Sequence, residues 1–281
     1  MFNYLWNVQG YFFWLLVVSG LCFALERFFP WRRGQKAFRP QFVQDIFYLF
    51  FNGHYFGLIF VIGANWAVHQ VNDLFELWDL SSPGELQLMD GVPIWVQFIV
   101  FLVLRDFLEW GVHNLLHRVP WLWKFHKLHH SIEIMDWIGN FRFHWMETVV
   151  YSAITWAPLV VLGVDTSVLL PIAVVSTLIG HLNHSNLKWD YGPLRYLVNS
   201  PQMHIWHHDE MMHYKGGQNF GIVLSVFDWV FNTAYMPKDE EQPDKLGFAD
   251  LPRFPKGLFS RLLYPVSDLW RKAGAGPRMS Q

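Results

Sequence analysis

The 281-residue sequence holds one cysteine, Cys22, and it lies inside an apolar run. A single cysteine excludes internal disulfides, cysteine-based zinc sites, iron–sulfur clusters and a CxxC redox pair. Charged residues are scarce, at 16% of the chain, against about 25% in an average soluble domain. The net charge is −2 with histidine neutral, and without a basic stripe nucleic-acid binding has no electrostatic footing. HExxH and HxxEH are absent, which disfavours zinc peptidases. The paired ExxH motifs with two further Glu that soluble di-iron proteins use are absent too, ExxH occurring once, at Glu210–His213. GxSxG, Walker A and GxGxxG motifs are missing, so serine hydrolases and nucleotide binders find no support. No internal repeat of about 20–50 residues appears.

What the chain has instead is apolar bulk: 52% hydrophobic residues, 26 Phe and 16 Trp. Burial on that scale offsets chain entropy and excludes a disordered chain. The apolar residues come in blocks, which points to a bilayer. Residues 10–25 carry no charge, residues 46–68 are broken only by Asn52, His54 and Asn65, and residues 92–104 continue helically through Arg105, Asp106 and Glu109. A bilayer core about 30 Å thick needs about 20 helical residues. The first two runs are therefore expected to span, and the third spans if its last turns sit at the interface. Residues 148–180 hold one charge, Asp165, and are too long for one span. Gly163 to Thr166 read as a turn flanked by Pro158 and Pro171, so two tilted helices forming a hairpin are expected.

Charge sets the orientation. Residues 26–41 carry Arg27, Arg32, Arg33, Lys36 and Arg39, whereas residues 65–91 carry five acids and no Lys or Arg. The positive-inside rule puts the first segment in the cytoplasm and the second outside. The N-terminus is then outside, and the third span and the hairpin both return the chain to the cytoplasmic side. No cleavable signal peptide is expected, since a positive n-region and a cleavage site are both missing. Residues 237–245 read as a polar linker. Residues 257–272 have apolar residues near helical spacing and suggest an interfacial helix, interrupted by Pro265.

Twelve of the 14 histidines fall between His113 and His213. They form His113-x3-His117 and His126-x2-His129-His130 before the hairpin, and His181-x2-His184 and His204-x2-His207-His208 after it. Positions i, i+3 and i+4 share a helix face, so each cluster can aim two or three imidazoles at one point. Any one cluster is weak evidence, because exposed helical histidines are common. Four clusters on one membrane side are strong evidence for metal. These ten imidazoles exceed what one ion takes, and two ions are the natural count. Spacing alone does not choose among Zn, Cu, Fe and Ni. His54 and His69 lie outside the clusters and are not expected to ligate. His144 and His213, with the carboxylates Asp106 and Glu147, are candidates to orient a ligand through its other ring nitrogen.

In this order, between hydrophobic runs, the clusters resemble the fatty acid hydroxylase / sterol desaturase superfamily of integral membrane di-iron oxygenases. Supporting pieces are Arg118–His126 (RVPWLWKFH), Arg142-Phe-His144, His184-Ser-Asn186, Gly192–Tyr196 (GPLRY), Asn219-Phe-Gly221 and Phe227-Asp228. The resemblance covers roughly residues 95–237 and departs from the family pattern at Asn114, Trp145 and Asp209. It implies two Fe ions held by the ten clustered histidines, O2 as co-substrate, and oxidation of an unactivated lipid C–H bond. An HPGG-type cytochrome b5 motif is absent, so a separate donor (cytochrome b5, a ferredoxin or a reductase) is expected to supply electrons.

The expected architecture is an all-α, multi-pass transmembrane helical bundle of about four to five spans, with its histidine-rich metal site on the cytoplasmic side. Residues 1–91 form an N-terminal helix pair and outer loop, 92–236 the catalytic domain, and 237–281 the linker and interfacial helix. Hydroxylation of a fatty acyl, sterol or similar lipid is the leading expectation, with desaturation or ether-lipid cleavage within the same superfamily as alternatives. A divalent-metal transporter is the rival of another class, disfavoured because transporters set ligands in broken helices near the bilayer midplane. A catalytically dead scaffold would have no need of intact clusters. A bacterial inner membrane is expected over the endoplasmic reticulum, because the C-terminus lacks a KDEL-type signal.

Overall fold

A computed structural model describes residues 7–55, 69–70, 73–78, 88–239 and 241–266. Within them the chain is helical throughout, and its only β features are two isolated bridges, Val198 with Leu224 and Asp209 with Leu246. Helix α1 is Tyr11–Phe28 and α2 is Phe42–Phe50, which widens into a π turn over Phe51–Tyr55. The rest of the expected second span lies outside the described residues. Helix α3 is Ile94–Arg118, and α4 is Pro120–His130, opened by a proline at a position where its missing N–H costs nothing. Helices α5 (Trp145–Val161) and α6 (Thr166–His184) come next, then α7 (Pro201–His207), α8 (Val226–Val230) and α9 (Leu258–Leu263).

The two helices expected within 148–180 are there. Gly163 turns the chain with φ at +74°, where a side chain would be strained, and Asp165 caps α6 by accepting from Ser167 N. Among the described residues two helices, α1 and α6, are long and apolar enough to cross a membrane. Helix α3 is longer, about 38 Å at the usual rise, but its second half carries charge. Arg105 is neutralised in place by Glu109 at 2.8 Å and donates to Ser176 of α6 at 3.0 Å.

Both ends of the bundle can be traced through hydrogen bonds. At one end Gln97, in the first turn of α3, donates to Val92 O and accepts from Asp165 N of the hairpin turn. At the other end α1 runs alongside α6 in the same direction. Tyr11 meets Thr177, Ser19 meets His181, and buried Glu26 accepts from Asn186 N and Trp137 N. Leu15, Val18, Cys22, Ile138 and Leu182 fill the seam between them. The C-terminal ends of α1, α3 and α6 therefore meet at one end, and α4 and α7 pack across it.

Of the interfacial helix suggested over 257–272, the described part holds α9, six residues long, whose Arg261 is buried against the body, donating to Gln41, Gln44 and Pro255 O. Tyr264–Pro265 ends the helix, and residues 267–281 lie outside the described residues.

Candidate metal centre

Four short elements bring the imidazoles together: the last turns of α3 and α6, all of α4, and α7. Each ends in the i, i+3, i+4 spacing that points side chains to one face. Nine of the ten clustered histidines fall into two groups, with nitrogens inside each group within 4.8 Å of one another. His113, His117, His126, His130 and His207 form one group; His129, His184, His204 and His208 form the other. The sequence order is thus crossed in space. The adjacent His129 and His130 face different groups, and so do His207 and His208.

The ring nitrogens that face away fix the tautomers. His113 Nδ1 donates to Phe220 O at 2.7 Å, His207 Nδ1 to Gln218 O at 2.7 Å, and His184 Nδ1 to Gly180 O at 2.8 Å. His126 Nδ1 donates to Glu147 at 2.7 Å. Each of these rings then turns a bare Nε2 lone pair inward. His113 Nε2 stands 3.1 Å from His126 Nε2, and His207 Nε2 stands 3.1 Å from His130 Nε2. The facing lone pairs of His113 and His126 repel at that separation, and a cation between them removes the repulsion. His204 and His208 are fully buried, and neither ring nitrogen of either has a hydrogen-bond partner among the described residues. Buried polar atoms left without partners cost free energy, and a metal ion is the partner this donor set fits. All-imidazole groups suit iron, zinc, copper or nickel and are too soft for magnesium or calcium.

Burial holds His126, His129, His130, His204, His207 and His208 well below the ordinary imidazole range, and neighbouring imidazoles push most of them further down. They are neutral at pH 7, the state that binds metal. Phe143 stacks on His129 at 4.5 Å between ring centres, and Trp123 lies against His117 and His130.

Several expected residues stand elsewhere. His181 lies outside both groups: its ring bonds Ser19 Oγ at 3.1 Å and Asn140 Nδ2 at 2.9 Å, so it ties α1 and the 137–141 turn to α6. His144 bonds no clustered histidine. It donates to Leu262 O at 2.9 Å, and Trp145 donates to the same carbonyl, which anchors the α9 segment. His213 pairs with Asp209 at 2.6 Å and stacks on Tyr235, touching no clustered histidine. Asp106 also touches none; it accepts from Val223 N and Leu224 N. Glu147 alone among these four bonds a clustered histidine. His69 is exposed, away from both groups, and His54 packs on Phe12.

Spacing could not reveal the partners that are backbone carbonyls, Phe220 O and Gln218 O. Their only trace was the Asn219-Phe-Gly221 motif. Just before it, Gly216 and Gly217, with φ at +92° and +99°, turn the chain past the ring of His117, where an added Cβ on Gly217 would stand 3.2 Å from Nδ1.

A fatty acid hydroxylase family model matches residues 98–233. Ornithine lipid hydroxylase OlsE of Rhizobium tropici is 32% identical over 189 residues, covering 67% of this chain and 56% of that protein. Alkylglycerol monooxygenase of Caenorhabditis elegans is 25% identical over 152 residues, 52% of this chain and 28% of that one. Very-long-chain aldehyde decarbonylase GL1-5 of Oryza sativa subsp. indica is 22% identical over 169 residues, 56% and 24%. The chain thus spans little more than half the length of the first relative and about a quarter of the other two. No solved structure matches. Its histidine order, its family match and these relatives agree: through residues 98–233 the chain belongs to the fatty acid hydroxylase / sterol desaturase superfamily.

Proposed function

We propose that this chain is a membrane-bound, non-haem di-iron oxygenase that hydroxylates a lipid C–H bond with O2 and electrons from a separate redox protein. The observation that carries the reading is the pair of buried imidazole groups with bare nitrogens facing one another. His113, His117, His126, His130 and His207 would hold one ion, and His129, His184, His204 and His208 the other. Iron in such a site supplies the redox chemistry that O2 insertion needs and that zinc lacks.

The chain's own side chains prepare the site. Burial keeps water away from both groups, and Glu147 holds the proton of His126 on Nδ1, leaving Nε2 free to ligate. Phe143, just before α5, stacks on His129 and lies tilted against Tyr151, and so offers an apolar wall for an acyl chain. The lipid would enter sideways from the bilayer that α1 and α6 cross. The similarity to an ornithine lipid hydroxylase supports a polar membrane lipid as substrate. Ether-lipid cleavage is the second reading, favoured by the similarity to an alkylglycerol monooxygenase.

The basic residues from Arg27, in the last turn of α1, to Arg39 beyond it lie at the histidine end of the bundle, which supports a cytoplasmic site in a multi-pass protein of a bacterial inner membrane. There the electron donor, whether cytochrome b5, a ferredoxin or a reductase, would approach from the aqueous side.

Lipid mass spectra of cells with and without the gene test the reading. A lipid one oxygen atom heavier should appear only with the gene, only in air, and not with His126→Ala. An unchanged lipidome alongside abundant, folded, iron-loaded protein would overturn it.

A further inference from the structure

Two carboxylates that no histidine touches are buried around residues 218–224. Asp106, fully buried on α3, accepts from Val223 N at 2.9 Å and Leu224 N at 2.7 Å. Asp228, fully buried on α8, accepts from Phe220 N, Gly221 N, Trp110 Nε1 and Thr233 Oγ1 at 2.6–3.0 Å. Asn199 donates to Gly221 O at 2.5 Å, and Asn219 donates to Met203 O and Tyr235 O. Burying a carboxylate is costly unless donors surround it, and here backbone N–H groups of one loop supply four of the six. Such charge-assisted bonds are among the strong ones. Together they leave the loop little freedom.

What the loop presents is a pair of carbonyls. Phe220 O accepts from Nδ1–H of His113 and Gln218 O from Nδ1–H of His207, and both rings belong to the five-histidine group. Glu147 fixes a third ring of that group, His126. The four-histidine group is held differently. His184 bonds Gly180 O, but His129 Nδ1 and both ring nitrogens of His204 and His208 have no partner among the described residues.

We propose that Asp106 and Asp228 are positioning residues for the five-histidine group, acting through the Gln218–Leu224 loop, and that this group therefore retains its ion more tightly than the four-histidine group. The proposal rests on the two-ion reading above. Imidazole ligands whose far nitrogen is anchored are already oriented before metal arrives, so less order is lost on binding; unanchored rings have to be ordered by the ion itself.

The experiment is the time course of iron loss from the detergent-purified full chain under excess chelator, read as iron per chain. Two phases of one ion each are expected. Asp106→Asn places an amide against two backbone N–H donors, and Gly221→Ala drives a Cβ toward Leu224 O and Asp228 Oδ2. Both should speed the slow phase by about 10–100-fold and leave the fast phase as it was. His204→Ala should remove the fast phase and spare the slow one, which assigns the phases even where a loop variant does not accumulate. One single phase overturns the proposal, as does loss of the slow phase in His204→Ala. A merely structural loop would speed both phases alike, and that result also overturns it. Purified protein with fewer than two ions per chain overturns the two-ion reading itself.

Discussion

Glu147 Oε1 stands 2.7 Å from Nδ1 of His126, with both side chains fully buried. In the first turn of α5, this carboxylate is the side-chain partner that fixes a grouped histidine in the tautomer that ligates. Glu147→Gln keeps the shape and removes the charge. It should lower metal affinity by about 10–100-fold and depress turnover while the fold survives. Elemental analysis after dialysis at graded chelator concentrations reads the effect; unchanged retention would remove Glu147 from the site.

Replacing any of the nine grouped histidines by Ala should abolish turnover. Metal content should fall less than activity, because the ion of the other group is still held. Activity per folded chain is the quantity to compare, since lost metal also destabilises the fold. Full activity in His207→Ala or His208→Ala would contradict the grouping.

His181→Ala is expected to behave differently, although sequence spacing placed His181 among the ligands. It should purify with its full metal complement and lose stability, by about 1–3 kcal/mol for the stranded polar groups of Asn140 and Ser19. Thermal unfolding in detergent, run beside elemental analysis, separates the outcomes: metal lost with stability intact would return His181 to the ligand set. His144→Ala and His213→Ala should also keep their metal.

Arg142 is fully buried, donates two bonds to Asp45 and a third to Ser131 O, and Asp45 also receives Arg39. Arg39 in turn reaches Asp136. These four charges lock α2 to the loop after α4. Arg142→Ala leaves Asp45 partly uncompensated and should cost about 3–5 kcal/mol. Poor accumulation and early unfolding are the expected signs; a wild-type melting curve would count against the network.

The orientation is testable with single cysteines, since the native Cys22 is fully buried and a poor background target. Asp90→Cys, at the N-terminal end of α3, should label in spheroplasts with an impermeant maleimide. Met212→Cys, exposed beyond α7, should label only after permeabilisation. The reverse pattern would invert the protein in the membrane, and labelling of both from one side would break the bundle's polarity.

The helical class, the hairpin at 148–180 and the identity of nearly all the clustered histidines were legible in the sequence, because each is a local property. Apolar runs of bilayer length and i, i+3, i+4 spacing act over one or two helical turns, and Gly163 with Asp165 marks its own turn. The division into a five- and a four-histidine group was not legible, since His129 and His130 part company only once α4 packs across the bundle end, where His129 meets His184 of α6 and His130 meets His117 of α3. Nor was the fate of His181, whose ring is captured by Ser19 from α1, 162 positions away in the chain. Asp106 shares a helical face with His113 in sequence, yet the nearest unpaired donors in space were the backbone N–H groups of Val223 and Leu224. Spacing determines which side chains leave a helix together. What meets them is decided by which backbone and side-chain groups the packed chain has left without partners, and that is settled only when the distant segments arrive.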